Sequence, residues 1–103
     1  MARVLGCVAD LMLASRVKEM LTASGHEVTI ASVLPDRVDA DLIVCDLDST
    51  DPEAVAALGL PSIGFYSHTD IETRSRATEA GVDLVVPRSR MVRELPQLAD
   101  GLL

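Results

Sequence analysis

The sequence Ala-Asp-Leu-Ile-Val-Cys-Asp at residues 40–46 carries the strongest fold signal in this chain. Its run of apolar residues without polar alternation is typical of a strand covered on both faces, as in a parallel sheet. The strand ends on Asp46, and ligands of open α/β sheets gather beyond the carboxyl ends of the strands. Asp46 is therefore either a functional carboxylate or a capping group for the loop that follows it.

Apolar and amphipathic segments alternate on both sides of this strand. Strands are predicted at residues 3–8, 26–31, 41–46, 62–66 and 83–86. Helices are predicted at 11–24, 52–58, 69–80 and 89–103, with room for one or two helical turns at 33–39. The alternation predicts a doubly wound α/β domain spanning residues 1–103, with a parallel five-stranded sheet in the flavodoxin-like order 2-1-3-4-5 and shortened second and third helices.

Local signals mark several helix ends. Gly25 ends the first helix, and Pro52 stands at the first helical position of the short helix. Thr69 and Glu72 have the spacing of a capping box. Pro96 is expected to kink the last helix or to divide it.

The composition limits the function classes. The chain has 49% hydrophobic residues and a net charge of -7, which argues against general nucleic-acid binding. Residues 1–70 carry 4 basic and 11 acidic side chains, whereas residues 71–103 carry 5 of each. No signal peptide or long apolar span is visible, so a soluble cytoplasmic protein without a membrane anchor is expected. Cys7 and Cys45 lie in apolar strands and are interpreted as buried, reduced thiols.

The layout resembles the receiver domain of two-component response regulators, the CheY-like family, over essentially the whole chain. The segments that carry the resemblance are 3–8, 25–28, 41–48, 61–67 and 80–88. The resemblance implies that Asp46 occupies the phosphoacceptor position. It also implies a signalling role, with a sensor kinase or another signalling protein as partner and a second copy of the chain as an alternative partner.

The chain departs from the receiver pattern at the metal site. Receivers place an acidic pair after the first strand to bind Mg²⁺, and these positions fall on Val8 and Ala9. Asp10 follows one place later and is interpreted as an N-cap of the first helix. We therefore expect no cofactor. If a metal is bound, Asp10, Asp46 and Asp48 are its candidate ligands.

Other site positions also differ. The hydroxyl residue that ends the fourth strand in receivers falls on Tyr66, which we expect to fill the core, and Ser67 follows it. The family's lysine falls on Arg88, behind Pro87 instead of before a proline. Any cis peptide bond would have to move to the bond before Pro87 or vanish. The pocket predicted around Asp46 thus consists of Asp10, Asp48, Tyr66, Ser67 and Arg88.

These changes favour a degenerate receiver, or pseudo-receiver, that acts by protein–protein interaction and is not an enzyme. Asp46 then has a structural role, and Asp48 and Asp51 cap the short helix. The interaction surface is expected along the helix before the fifth strand, that strand and the last helix, with Arg74, Arg76, Arg88, Arg90 and Arg93. Two alternatives remain: a phosphorylatable single-domain regulator that uses Asp46, and a small-ligand module of the same fold. The first strand lacks the glycine-rich loop that a nucleotide module requires.

Overall fold

The computed structural model describes residues 1–67 and 71–103. Its strands are β1 (Arg3–Cys7), β2 (Glu27–Ala31), β3 (Leu42–Asp46), β4 (Ser62–Tyr66) and β5 (Leu84–Pro87). Its helices are α1 (Leu11–Ala23), α2 (Pro52–Ala57), α3 (Ile71–Ala80) and α4 (Arg88–Leu102). The capping box predicted at 69–72 begins outside the described residues. No described helix is both long and apolar enough to cross a membrane.

The sheet is parallel throughout and has the order β2-β1-β3-β4-β5, as predicted. β4 has the predicted bounds, β1, β2 and β3 each differ from the prediction by one residue at one end, and β5 is shifted by one residue at both ends. β3 lies in the middle of the sheet, where its apolar residues are fully buried. The fold is therefore the five-stranded doubly wound architecture that the sequence indicated.

One face of the sheet, which we call the complete face, is covered by α1 and α4. Val17 and Leu21 of α1 pack there with Met91 and Leu95 of α4 over Val44 of β3. α1 ends as predicted, since Gly25 follows it with a φ of 90°, a conformation that favours glycine. Pro96 lies inside a single helix, so of the two outcomes predicted for the last segment, a kink or a division, the division does not occur.

The opposite face, which we call the incomplete face, is covered by α2, α3 and residues 32–41. Ile43 and Cys45 of β3 pack there against Val55 of α2 and Ala77 of α3. Both cysteines are free and buried, as expected. Over β2 this layer is thin, and the side chains of Glu27 and Thr29 remain exposed.

The one or two helical turns predicted at 33–39 do not form, and this prediction is wrong. Pro35 lacks an N–H donor and disfavours the helical conformation of the residue before it. The Arg3 guanidinium donates two hydrogen bonds to the Asp39 carboxylate, at 2.9 and 2.8 Å. The backbone N–H of Arg3 donates to the Asp41 carboxylate at 2.8 Å. These contacts fasten the end of the segment to β1, and the segment is irregular chain with bends at residues 32–33 and 36–37.

Candidate functional site

The carboxyl ends of β1, β3, β4 and β5 bring the predicted pocket residues to one edge of the sheet. Asp46 is the last residue of β3, and Tyr66 is the last residue of β4. Asp10 follows β1 and precedes α1, and Arg88 begins α4 directly after β5. Because the four strands are neighbours in the sheet, these residues surround the end of β3.

Asp46 is half-buried at the centre of this edge. One of its carboxylate oxygens accepts a hydrogen bond from the backbone N–H of Asp48 at 2.9 Å, which closes a tight turn. Burial raises the pKa of the Asp46 carboxyl. The hydrogen bond from Asp48 and the charge of Arg88 lower this pKa, whereas the charges of Asp48 and Asp10 raise it further. The Asp46 carboxylate is therefore hydrogen-bonded to the turn that follows β3, and charges of both signs act on it.

Asp10 caps α1, as the sequence predicted. Its carboxylate accepts hydrogen bonds from the backbone N–H groups of Met12 at 3.0 Å and of Leu13 at 3.1 Å. These two donors have no partner within the helix, and the cap satisfies them. Asp10 thus has a structural role that accounts for its position at this edge.

Asp48 does not cap α2, contrary to the prediction. Its carboxylate accepts hydrogen bonds from the backbone N–H of Ser67, at 3.1 Å, and from the Ser67 hydroxyl. The cap of α2 is Asp51, which accepts from the N–H of Glu53 at 3.3 Å. Asp51 directly precedes the helix, whereas Asp48 lies in the turn after β3 and reaches the neighbouring loop after β4. Asp48 and Ser67 therefore tie together the two loops that flank Asp46.

The residues at this edge do not fit the magnesium site that the receiver resemblance implies. Val8 and Ala9 follow β1 directly, and neither side chain carries an oxygen; Val8 is only 2% exposed, within the apolar core. Mg²⁺ requires several oxygen ligands in octahedral geometry. Among residues 1–67 and 71–103, no group of three or more His, Cys, Asp or Glu side chains is arranged to hold a metal ion.

Tyr66 and Arg88 complete the edge. Tyr66 is only 7% exposed and belongs to the buried core, as expected, and its backbone pairs with Pro87 in the sheet. The peptide bond before Pro87 is trans. Arg88 is exposed and makes no ion pair with a described residue, although its charge acts on Asp46. Neither residue reproduces the receiver's hydroxyl or lysine.

The five arginines of the predicted interaction surface lie on two helices. Arg74 and Arg76 are on α3, and Arg88, Arg90 and Arg93 are on α4. Arg76 is bound to α2, where its guanidinium contacts the carboxylates of Asp51 at 3.0 Å and of Glu53 at 2.8 Å. Arg74 is exposed on α3. On α4, Arg90 lies 3.4 Å from Glu94, and Arg93 donates to the backbone carbonyl of Ser89 at 3.2 Å.

A groove of about 870 Å³ between α1 and α4 adjoins this edge. Met12, Ser67, Arg88 and Val92 are among its lining residues. Met12 and Met91 both stand near the start of a helix, where a methionine is interpreted from sequence alone as a packing residue. Met91 is buried, but Met12 is 86% exposed. The cap at Asp10 could have indicated this, because it places Met12 in the first turn and off the apolar stripe of α1.

Comparisons with known proteins agree with this architecture. No family model and no curated protein matches the chain. Solved structures match over nearly its whole length. A CheY-like receiver domain protein from Methanospirillum hungatei is 19% identical, with 98% of this chain and 92% of that chain covered and a TM-score of 0.84.

Two further structures are similar. The receiver domain of the Francisella response regulator 1452 is 18% identical, with 99% and 96% of the two chains covered and a TM-score of 0.82. An orphan response regulator of H. pylori is 17% identical, with 98% and 95% covered and a TM-score of 0.80. The protein therefore has the fold of response regulator receiver domains, as the resemblance in sequence implied.

Proposed function

We propose that this protein is a receiver-like signalling module that acts by binding other proteins, with phosphoryl transfer to Asp46 lost or much weakened. The observation that carries this proposal is the donor set beside Asp46. Val8 and Ala9 offer no side-chain oxygen, Asp10 is bound to the N-terminus of α1, and Asp48 is bound to Ser67. The proposal assigns no enzymatic activity to the chain.

The charge of the reacting groups explains why this donor set matters. Phosphoryl transfer to a carboxylate brings a negatively charged donor against a negatively charged acceptor, and electrostatic stabilisation supplies most of the catalysis. A divalent cation contributes that stabilisation in receivers, whereas here the charge of Arg88 acts on Asp46. A planar guanidinium does not replace a metal ion with octahedral coordination.

The interaction surface proposed for this role is formed by α3, β5 and the first half of α4. Its exposed cations are Arg74, Arg88, Arg90 and Arg93. Arg76 is left out of this surface because its guanidinium is occupied by Asp51 and Glu53. A signalling protein such as a sensor kinase is the proposed partner class, and a second copy of the chain is the alternative.

Intact-mass measurement tests the loss of phosphotransfer. The purified protein is incubated with a small phosphodonor and Mg²⁺ and then weighed, with Asp46→Asn treated in parallel. We expect no adduct in either protein. A donor-dependent phosphoryl adduct that disappears in Asp46→Asn would show instead a phosphorylatable regulator that uses Asp46.

Alanine substitution tests the interaction surface. Arg88→Ala combined with Arg90→Ala is expected to weaken capture of partner proteins from an extract of the source cells, with little change in thermal stability, because exposed ion pairs contribute little. Lys18→Ala is the matched control, since Lys18 is also an exposed cation and lies on α1, outside the proposed surface. Unaltered capture by the double variant would refute the surface assignment.

A further inference from the structure

The segment that replaces a helix on the incomplete face leaves space on both of its sides. A cavity of about 260 Å³ lies between residues 35–40 and the first halves of β1 and β2. A second cavity of about 490 Å³ lies between residues 32–36 and α2. An α-helix with its side chains is about 10–12 Å across, and this segment of irregular chain leaves part of that layer unfilled. We call the second cavity the open groove.

The open groove presents apolar groups to solvent. Val33 is 76% exposed at its rim, and Leu34 is half-buried against the core of the incomplete face. On the other side, α2 contributes Ala54, Ala57 and Leu58. The two alanines allow the backbone of a neighbouring helix to approach, because interaxial distances depend on the side chains at the contact. Exposed apolar patches of this kind mark interaction sites.

The charges around the open groove indicate the chemistry of its occupant. Asp36 and Asp51 are the charged side chains that line it. Asp36 makes no ion pair with a described residue, and Asp51 shares the single cation Arg76 with Glu53. The rim is therefore negative and complements a cationic segment.

The same charges argue against a second copy of the chain as the occupant. A two-fold dimer buries the same patch of both subunits. Such a dimer would bring Asp36 and Asp51 close to the same carboxylates of the other copy. Like charges across an interface are destabilising.

We propose that the open groove binds a basic amphipathic helix of a partner protein, which completes the helical layer of the incomplete face. A helix is the fitting element because the cavity is a groove between packed segments, and apolar grooves accept the apolar face of an amphipathic helix. This inference rests on the proposed interaction role and names the chemistry of one partner. It concerns a surface separate from the arginines of α4.

A peptide titration of the full chain tests the groove. The probe is a short amidated peptide of leucine and lysine in amphipathic order, and a leucine and glutamate peptide of the same pattern is its counterpart. With amide NMR signals as the readout, the lysine peptide should cause saturable shifts centred on residues 32–36 and 49–58. Val33→Asp should weaken this binding by about tenfold or more, because it places a charge at the apolar contact.

Two further variants make the result decisive. Met12→Asp is the matched control, an exposed apolar residue outside the groove, and should bind the peptide as the wild type does. Asp36→Lys should weaken the lysine peptide several-fold and strengthen the glutamate peptide. Equal binding of both peptides, absence of saturable binding, shifts centred elsewhere, or an unchanged affinity in Val33→Asp would each overturn the proposal. Sedimentation that shows a dimer broken by Val33→Asp would also overturn it in favour of a second copy.

This experiment separates the groove from the proposed function. Failure of peptide binding would not contradict the proposed α4 interaction surface, since Arg88 and Arg90 lie outside the open groove. Conversely, unaltered partner capture by the Arg88 and Arg90 variants would leave the peptide result standing.

Discussion

The two faces of the sheet are covered in different ways, although the same five strands lie beneath both. On the complete face, α1 and α4 form a continuous layer, with Val17, Leu21 and Leu95 fully buried. On the incomplete face, α2 and α3 are the described helices, and irregular chain lies where a further helix was predicted. The chain thus keeps the sheet and its order while one covering helix is absent from the described residues. The difference indicates that the strands and the complete face specify this fold, whereas the incomplete face can vary.

The largest expected effect comes from truncating a leucine on each face. Leu95→Ala removes a fully buried side chain from α4 and should lower the free energy of unfolding by about 2–5 kcal/mol. Leu34→Ala, in the segment at residues 32–41, should lower the free energy of unfolding by about 1 kcal/mol or less, because Leu34 is only half-buried. Urea unfolding of both variants measures the difference. Equal losses would contradict the distinction between the faces.

A second effect comes from adding a methyl group beneath each face. A Cβ at position 64 would lie 2.8–3.0 Å from three carbons of the Leu47 side chain, so Gly64→Ala should cost about 1–3 kcal/mol by overpacking. A Cβ at position 6 would meet the terminal Cδ1 of Ile30 at 2.8 Å, which can rotate away. Gly6→Ala should therefore cost less than Gly64→Ala in the same unfolding measurement. The reverse order would show that Leu47 has room to move on the incomplete face.

Much of this architecture follows from local sequence pattern. The strands are apolar runs bounded by polar residues, so their positions were predicted within one residue. Asp10 was predicted as a cap because it stands directly before an amphipathic stretch. Gly25 likewise marked the end of α1. These features depend on neighbours in the chain.

The wrong predictions depend on residues far apart in the sequence. The end of the segment at 33–39 is bound to Arg3, which is separated from Asp39 by 36 positions. Asp48 was assigned to a cap, but its partner Ser67 is 19 positions away. Arg76, which was assigned to the interaction surface, has its ion-pair partners Asp51 and Glu53 more than 20 positions earlier, and the sequence did not predict this pairing. Local spacing contains none of these pairings.

The smallest predicted effect is a pH-dependent change in stability caused by Asp46, which lies at the carboxyl edge of the sheet between the two faces. The raised pKa of Asp46 means that the folded protein binds this proton more tightly than the unfolded chain does. The stability associated with this proton is present below the unfolded pKa and is lost as the pH rises through the folded pKa. Asp46→Asn, which keeps an oxygen for the Asp48 amide, should therefore raise the melting temperature by a few degrees at neutral pH.

That gain should disappear at acidic pH, where the Asp46 carboxyl is protonated in both states. Melting curves of the wild type and Asp46→Asn over a pH series measure it. Asp39→Asn is a suitable contrast, because Asp39 accepts two hydrogen bonds from Arg3 and its neutralisation should not stabilise the fold. A variant at Asp46 that is less stable than the wild type at neutral pH would show that burial does not dominate the pKa of this carboxyl.

The most direct test of the account is Mg²⁺ binding at the carboxyl edge, followed by amide NMR signals of Asp10, Asp46 and Asp48. We expect no saturable shift in the wild type at millimolar Mg²⁺, because positions 8 and 9 supply no side-chain oxygen. We also expect that Ala9→Asp, at an exposed position, gains measurable affinity for Mg²⁺. Saturable binding of Mg²⁺ to these residues in the wild type would contradict the account.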